Sequence, residues 1–213
     1  MKKIYFVRHG ESDANAGGPL KPENEVSLTE LGHEQAEFVG QRATKLGVDV
    51  IISSTLFRAR QTAEHISQAT GLPVETSDLL IERRYPSAGH GRTKDDPILK
   101  EILHALEVRF GEDDPKHSDE ETFEEIKERV IKALEYLANR PEENILVVTH
   151  GITLRILVAV ALFGPELTRR EAGKIVNVFK TKNTGISYFE YDPELQPHAP
   201  WIVRTWNDHA HLG

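Results

Sequence analysis

Three short stretches of this sequence carry an apolar run into a cation. Ile4-Tyr5-Phe6-Val7 leads to Arg8-His9-Gly10, Val50-Ile51-Ile52 leads to Ser53-Ser54-Thr55-Leu56-Phe57-Arg58, and Ile145-Leu146-Val147-Val148-Thr149 leads to His150-Gly151. If the three runs are strands of one open α/β sheet, their carboxyl ends share the edge where such sheets bind ligands. Arg8, His9, Arg58 and His150 then converge. Cations packed so closely repel unless an anion sits among them, and a phosphate dianion is the natural guest. Guanidinium forks match its oxygens bidentately through charge-assisted bonds. The arginines also depress the pKa of a histidine between them, which keeps it neutral and nucleophilic. Taken singly, each residue has an ordinary reading as a capped or surface histidine or a solvated arginine. Co-occurrence at successive strand ends carries the inference.

The elements that must position these residues alternate between strand and helix patterns. After the strand at 4–7, a polar loop runs to Ser27. Ser27-Leu28-Thr29-Glu30 fits a capping box with Ser27 as N-cap. Ala36, Val39, Ala43 and Leu46 share the face of the helix that follows, and Gly47 closes it. A strand over 49–53 precedes a helix marked by Ala59, Ala63, Ile66 and Thr70 and stopped by Gly71-Leu72-Pro73. A short strand follows at 74–76. Residues 83–120 read as an insertion, with a basic loop and then a helix through Leu99, Ile102, Leu103, Leu106 and Phe110. Phe123, Ile126, Val130, Leu134 and Leu137 form a strongly amphipathic helix, ahead of the strand at 144–149 and an apolar helix at 152–163. Stretches 183–191 and 201–206 read as closing strands. Strands apolar on both faces between helices predict an α/β fold, a three-layer α/β/α sandwich with a mostly parallel central sheet. The insertion at 83–120 is expected over the active-site edge, and residues 1–213 are expected to form one domain.

Composition narrows the chemistry. The chain has 213 residues and no cysteine, which excludes a disulfide framework, an iron–sulfur cluster and a thiol nucleophile. A covalent intermediate would need another side chain, and there are ten histidines. The balance of 26 basic to 34 acidic residues, net −8, argues against nucleic acid as a partner while leaving room for a small cationic pocket. The longest apolar run is too short for a membrane span of about 20 residues, and Lys2-Lys3 precede too short an apolar stretch for a secretory leader. A cytoplasmic location with no membrane partner is the expectation. Oligomeric state is not readable; the apolar helix at 152–163 and the closing strands fit a homodimer interface and fit core burial equally.

Arg8-His9-Gly10-Glu11-Ser12 with Asn15, Leu28-Thr29-Glu30-Leu31-Gly32 with Gln35-Ala36, Ser53 to Ala63, and Thr149-His150-Gly151 together resemble the ordered blocks of the histidine phosphatase superfamily, in its phosphoglycerate-mutase-like branch. Glu82 falls where that family places its acid, and Trp206-Asn207-Asp208 with His211-Leu212 resemble its tail. The resemblance implies that His9 becomes phosphohistidine and that Arg8, Arg58 and His150 hold the phosphoryl oxygens. It gives Asn15 as a further donor and Glu82 as the group that protonates the leaving oxygen and then activates water. It implies no metal and no organic cofactor, with a small phosphorylated molecule as substrate.

The family holds both hydrolases and phosphoglycerate mutases. The segment 14–27 lacks the Trp-rich stretch of the mutases, and Arg60-Gln61-Thr62 is similar to the phosphatases, so a phosphomonoester hydrolase is expected. Glu82-Arg83-Arg84-Tyr85 partly resembles the mutase Glu-Arg-x-Tyr element, which keeps the mutase as alternative and makes Arg83 and Tyr85 candidate substrate contacts. Arg83, Arg84, His90, Arg92 and Lys94 can select a second negative group or form a solvated basic loop. Two other classes stand beside these: a phospho-ligand-binding module without turnover, and a metallohydrolase using His198, His209 and His211 with Asp208.

Overall fold

The protein is described by a computed structural model covering residues 1–109, 118–194 and 199–213, without the side chains of 105–109. Six strands form one sheet in the order β3-β2-β4-β1-β5-β6. They are β1 (Lys2–Arg8), β2 (Val50–Ser54), β3 (Val74–Ser77), β4 (Asn144–Thr149), β5 (Ile186–Tyr191) and β6 (Trp201–Asp208). The pairs β1–β4, β2–β4 and β2–β3 are parallel, while β1–β5 and β5–β6 are antiparallel. Five strands therefore run one way and β5 the other, the mostly parallel α/β sheet expected from the sequence.

The sheet is covered on both faces, as parallel strands require. Ile4, Phe6, Ile52, Ile145 and Val147 pack with α4 (Phe123–Ala138) and α5 (Gly151–Phe163), joined by α6 (Arg169–Val178). Val7, Ile51, Leu146 and Val148 pack on the other face with α1 (Glu30–Ala43) and α2 (Phe57–Thr70). The alternation of Ile145 and Val147 with Leu146 and Val148 is the period of two that sends successive side chains to opposite faces. Among the described residues no helix is long and apolar enough to cross a membrane.

Several local readings shift. The N-cap of α1 is Thr29, whose hydroxyl accepts from Gly32 N–H, and not Ser27. The helix ends at Ala43, before Gly47. In α2, Gly71 takes the left-handed conformation at φ 76°, as the Gly-Leu-Pro stop predicts. The insertion forms α3 (Pro97–Arg109). The side chain of Leu106, all of Phe110, the link 111–117 and His198 lie outside the described residues. α6 was not anticipated, although Thr168 and Glu171 form a reciprocal capping box that the sequence displays.

Two glycines hold the 9–11 loop against the start of α1. A Cβ on Gly32 would lie 1.9 Å from the Glu11 carbonyl oxygen, and one on Gly10 would lie 2.4 Å from the Gly32 carbonyl oxygen. Backbone meets backbone at both places, so neither strain can be relieved by a rotamer change. Gly173, inside α6, faces open space. We expect Gly32→Ala to destabilise the fold by about 1–3 kcal/mol or more, the range for overpacking. We expect Gly173→Ala to stabilise it by about 0.5–1 kcal/mol through helix propensity. Urea unfolding of the two variants measures both, and a Gly32→Ala protein as stable as the parent would contradict the close approach.

Candidate active site

Strand register brings the two histidines together. Arg8 lies opposite Thr149 at the ends of β1 and β4, and His9 N–H donates to the Thr149 carbonyl at 3.0 Å, one residue past the strands. The rings of His9 and His150 are 5.0 Å apart, centre to centre. Because β5 is antiparallel, its start arrives at the same edge. Thr184 N–H donates to the Arg8 carbonyl at 2.9 Å, and Asn183 Nδ2 donates to the His9 carbonyl at 2.9 Å. From β2, Ser54 reaches His150 Nε2 with its hydroxyl at 2.8 Å.

The tautomer of His9 follows from its partners. Nδ1 lies 2.7 Å from the Gly10 carbonyl, which only accepts, so Nδ1 carries the proton. Nε2 then holds the lone pair, with Arg58 Nε–H donating to it at 3.3 Å. Burial, then Arg58 and Arg8, hold the His9 pKa well below its ordinary 6.5. The pKa of His150 is lowered likewise, first by burial and then by Arg58 and His9. The Ser54 hydroxyl accepts from Leu56 N–H at 3.2 Å and meets His150 Nε2 at 2.8 Å. Three buried polar atoms, Arg8 Nε, Ser12 Oγ and His150 Nδ1, have no hydrogen-bond partner among the described residues. Buried polar atoms without partners are rare, and here they sit where the arginines gather.

Arg8 is anchored by Nη1, which donates to the Thr181 carbonyl at 2.8 Å. Arg58, only 5% exposed, is the first-turn residue of α2. The motif residues around it serve as ties. Thr62 Oγ1 accepts from Gly10 N–H at 3.0 Å, Gln61 from Leu28 N–H at 2.9 Å and Gln35 from Glu11 N–H at 2.8 Å.

Glu82 comes from a strap fastened at each step. Thr149 Oγ1 donates to the Leu80 carbonyl at 2.8 Å and Thr153 Oγ1 to the Ile81 carbonyl at 2.6 Å. Arg129 of α4 donates to the Leu79 and Ile81 carbonyls at 3.0 and 2.9 Å while gripping Glu121 with two 2.7 Å bonds. The strap sets the Glu82 carboxylate at the N-terminus of α5, where Ile152 N–H and Thr153 N–H each donate at 3.1 Å. An anion there meets the unsatisfied N–H groups and the positive end of the helix dipole.

A cavity of about 350 Å³ opens over this cluster. Arg8, His9, Asn15, Arg58, Glu82 and Tyr85 line it. His150 does not; it packs behind His9, fully buried. Asn15 Oδ1 is taken by Ser12 N–H and Asn183 Nδ2. The Tyr85 hydroxyl stays neutral, its pKa pushed up to about 12 by burial and then by Glu82. Arg83, a candidate contact by sequence, is not among the lining residues; its Nε donates to the Glu121 carbonyl at 3.2 Å. Of the basic loop, Lys94 alone reaches the lining, while Arg92 binds the Ala88 carbonyl and Asp96. Leu99 and Leu103 of α3 also line the cavity, so the insertion does sit over this edge.

Lys21, Arg155 and Lys180 line it too, and sequence reasoning missed them. Arg155 had a signal: a lone cation in an apolar helix, four residues from Gly151 and thus on its face. The C-terminal acid and histidines are committed elsewhere. Asp208 pairs with Arg42, His211 contacts Arg42 and Thr184, and His209 contacts the Asn207 carbonyl. Among the described residues no group of three or more His, Cys, Asp or Glu side chains is placed to hold a metal ion.

Fold and site define an α/β protein whose sheet edge gathers a neutral histidine, two arginines and a helix-capped carboxylate around a cavity of small-molecule size, with a second neutral histidine buried behind the first. The profile of the histidine phosphatase superfamily (branch 1) matches residues 4–209, and the chain belongs to that family. It is 33% identical over 217 residues to the probable phosphoglycerate mutase GpmB of Escherichia coli O1:K1, covering 100% of this chain and 95% of that protein. A putative alpha-ribazole-5'-P phosphatase from Escherichia coli K-12 shares the fold at a TM-score of 0.79 and 22% identity, over 99% of this chain and 98% of that one. A phosphoserine phosphatase variant from Entamoeba histolytica, solved with phosphoserine, superposes at 0.76 with 26% identity over the whole of both chains.

The depressed histidine pKa values have a consequence for stability. The unfolded chain protonates these histidines near pH 6.5, and the folded protein does so only well below it. Below pH 6.5 the unfolded state therefore binds more protons, and stability falls as pH falls. The slope is about 1.4 kcal/mol per pH unit for each histidine. Urea unfolding between pH 6.5 and 5 should show His150→Gln losing stability less steeply than the parent by about that amount. Parallel slopes would contradict the buried neutral pair.

Proposed function

We propose that this protein is a metal-independent phosphomonoester hydrolase that works through a phosphohistidine on His9. The observation that carries the reading is the fixed lone pair of His9 Nε2 beside Arg58, with Nδ1 tied to the Gly10 carbonyl. Nε2 attacks phosphorus and the ester P–O bond breaks. Glu82 gives its proton to the departing oxygen. Glu82, now ionised, takes a proton from water. The resulting hydroxide attacks phosphorus, the P–N bond breaks, and inorganic phosphate leaves with His9 neutral again. Arg8 and Arg58 neutralise the phosphoryl oxygens, which is most of what such a transfer asks of a protein, and His150, uncharged behind His9, helps hold them by hydrogen bonding and not by charge. Asn15 adds a donor at the rim.

The cations at the outer wall, Lys94, Arg155 and Lys180, together with Tyr85, favour a substrate with a second anionic group. That feature and the GpmB resemblance support the second reading, a phosphoglycerate mutase, in which His9 returns its phosphoryl group to the bound sugar acid and not to water. With 3-phosphoglycerate, hydrolysis yields inorganic phosphate and glycerate, and the mutase yields 2-phosphoglycerate. We expect phosphate release to dominate; isomer formation without phosphate release would establish the alternative.

Glu82→Gln tests the acid. General acid catalysis contributes about 10²–10⁴-fold where the leaving oxygen needs a proton. We expect a loss of that size on an alkyl phosphate and a much smaller loss in phosphoenzyme formation from a nitrophenyl phosphate. Equal losses on the two substrates would remove Glu82 from that role.

A further inference from the structure

Glu23 takes no part in that chemistry, yet it holds the residue the chemistry most needs. Arg58 Nη2 donates to Glu23 Oε2 at 2.7 Å, and Arg58 Nη1 donates to the Glu23 carbonyl at 3.1 Å. The pair is secluded, with side chains 6% and 23% exposed. The backbone half of the grip is fixed by a 3-10 turn over Glu23–Glu25, followed by buried Val26. The carboxylate half needs only side-chain rotation to let go. Both ends of the Arg58 fork are thus engaged by one residue, while Nε faces His9.

We infer that the Glu23 carboxylate is a resident competitor for the anion site: it occupies the outer end of Arg58, and a phosphoryl group claiming that end must displace it or meet it protonated. The inference rests on the phosphoryl reading of the site. Charge makes the competition effective. With both histidines neutral, the charge of Arg58 is already balanced by Glu23, so an incoming anion meets less positive charge than the two arginines alone would present. Anions that offer Arg58 no more than a carboxylate offers gain nothing by the exchange. A phosphomonoester dianion brings more charge and more acceptor oxygens, and it can reach the outer cations as well.

Glu23 is also placed to respond to protons. Facing it are Arg58 from α2, Glu82 from the strap and His90 beyond the 87–89 turn, with Tyr85, Lys21 and Lys94 in the same cavity wall. Burial raises the Glu23 pKa, Arg58 opposes the rise, and Glu82 adds to it. Acidification therefore neutralises the competitor while the arginines keep their charge, and anion affinity gains from it.

Calorimetric titration with inorganic phosphate, at pH 7.5 and 5.5, tests this on the parent protein, Glu23→Gln, Glu23→Ala and Glu25→Gln. Glu25 is an exposed acid on the same turn. We expect both Glu23 variants to bind phosphate about tenfold more tightly at pH 7.5, the scale of one charged hydrogen bond. The advantage should shrink at pH 5.5, and Glu25→Gln should match the parent. The KM for a phosphomonoester should fall in parallel with the dissociation constant. Two results would overturn the inference while leaving the phosphoryl site standing: Glu23 variants that bind like the parent at both pH values, or Glu23 variants that bind more weakly, as a positioning role for Arg58 requires. Absence of phosphate binding by every folded protein in the series would overturn the phosphoryl reading, and the inference with it.

Discussion

One hydrogen bond past the end of a parallel strand pair governs this site. β1 and β4 run side by side with Arg8 opposite Thr149, and His9 N–H continues the ladder to the Thr149 carbonyl. Parallel pairing leaves both chains exiting at the same edge, so the next residues, His9 and His150, have nowhere to go but against each other. The slot exists because β4 enters between β1 and β2. Chain connectivity thus builds a ligand crevice at the point where strand order reverses.

The same placement sets the electrostatics. Both histidines are buried beside guanidinium groups, and both remain neutral for that reason. A neutral imidazole has one donor and one acceptor nitrogen, and the Gly10 carbonyl decides which is which for His9. Glu82 is brought from elsewhere, on a strap pinned by Thr149, Thr153 and Arg129 and delivered to the start of α5. His9 and Glu82 therefore rest on different supports, and α5 is shared, since its N-cap is His150 and its first turn holds Glu82.

Much of this was legible in the sequence. Apolar runs ending in cations gave the strands, their shared edge and the convergence of Arg8, His9, Arg58 and His150, because short β-rich runs bounded by helix patterns restrict the fold to few options. Glycines 10 and 32 stood in the motifs without an evident reason until their backbones met. What stayed hidden depended on side-chain direction. Arg83 and Lys94 are both basic members of one loop, and nothing in their spacing tells that one turns to Glu121 while the other reaches the cavity. Glu23 read as one more polar loop residue, since its meaning lies in contact with a helix 35 residues away. Irregular segments carry no period to orient their side chains, and that is where sequence reasoning lost them.

The central claim is that His9 Nε2 is the covalent acceptor, with Nδ1 held by the Gly10 carbonyl. The most direct test is to quench turnover of a phosphomonoester in alkali, which preserves phosphohistidine, and to locate the phosphoryl group by peptide mass spectrometry and by phosphorus–nitrogen NMR on labelled protein. The account predicts a single modified residue, His9, with the P–N bond at Nε2 and no label in His9→Asn. A phosphoryl group on Nδ1, on His150 or on a carboxylate, or full turnover by His9→Asn, would contradict it.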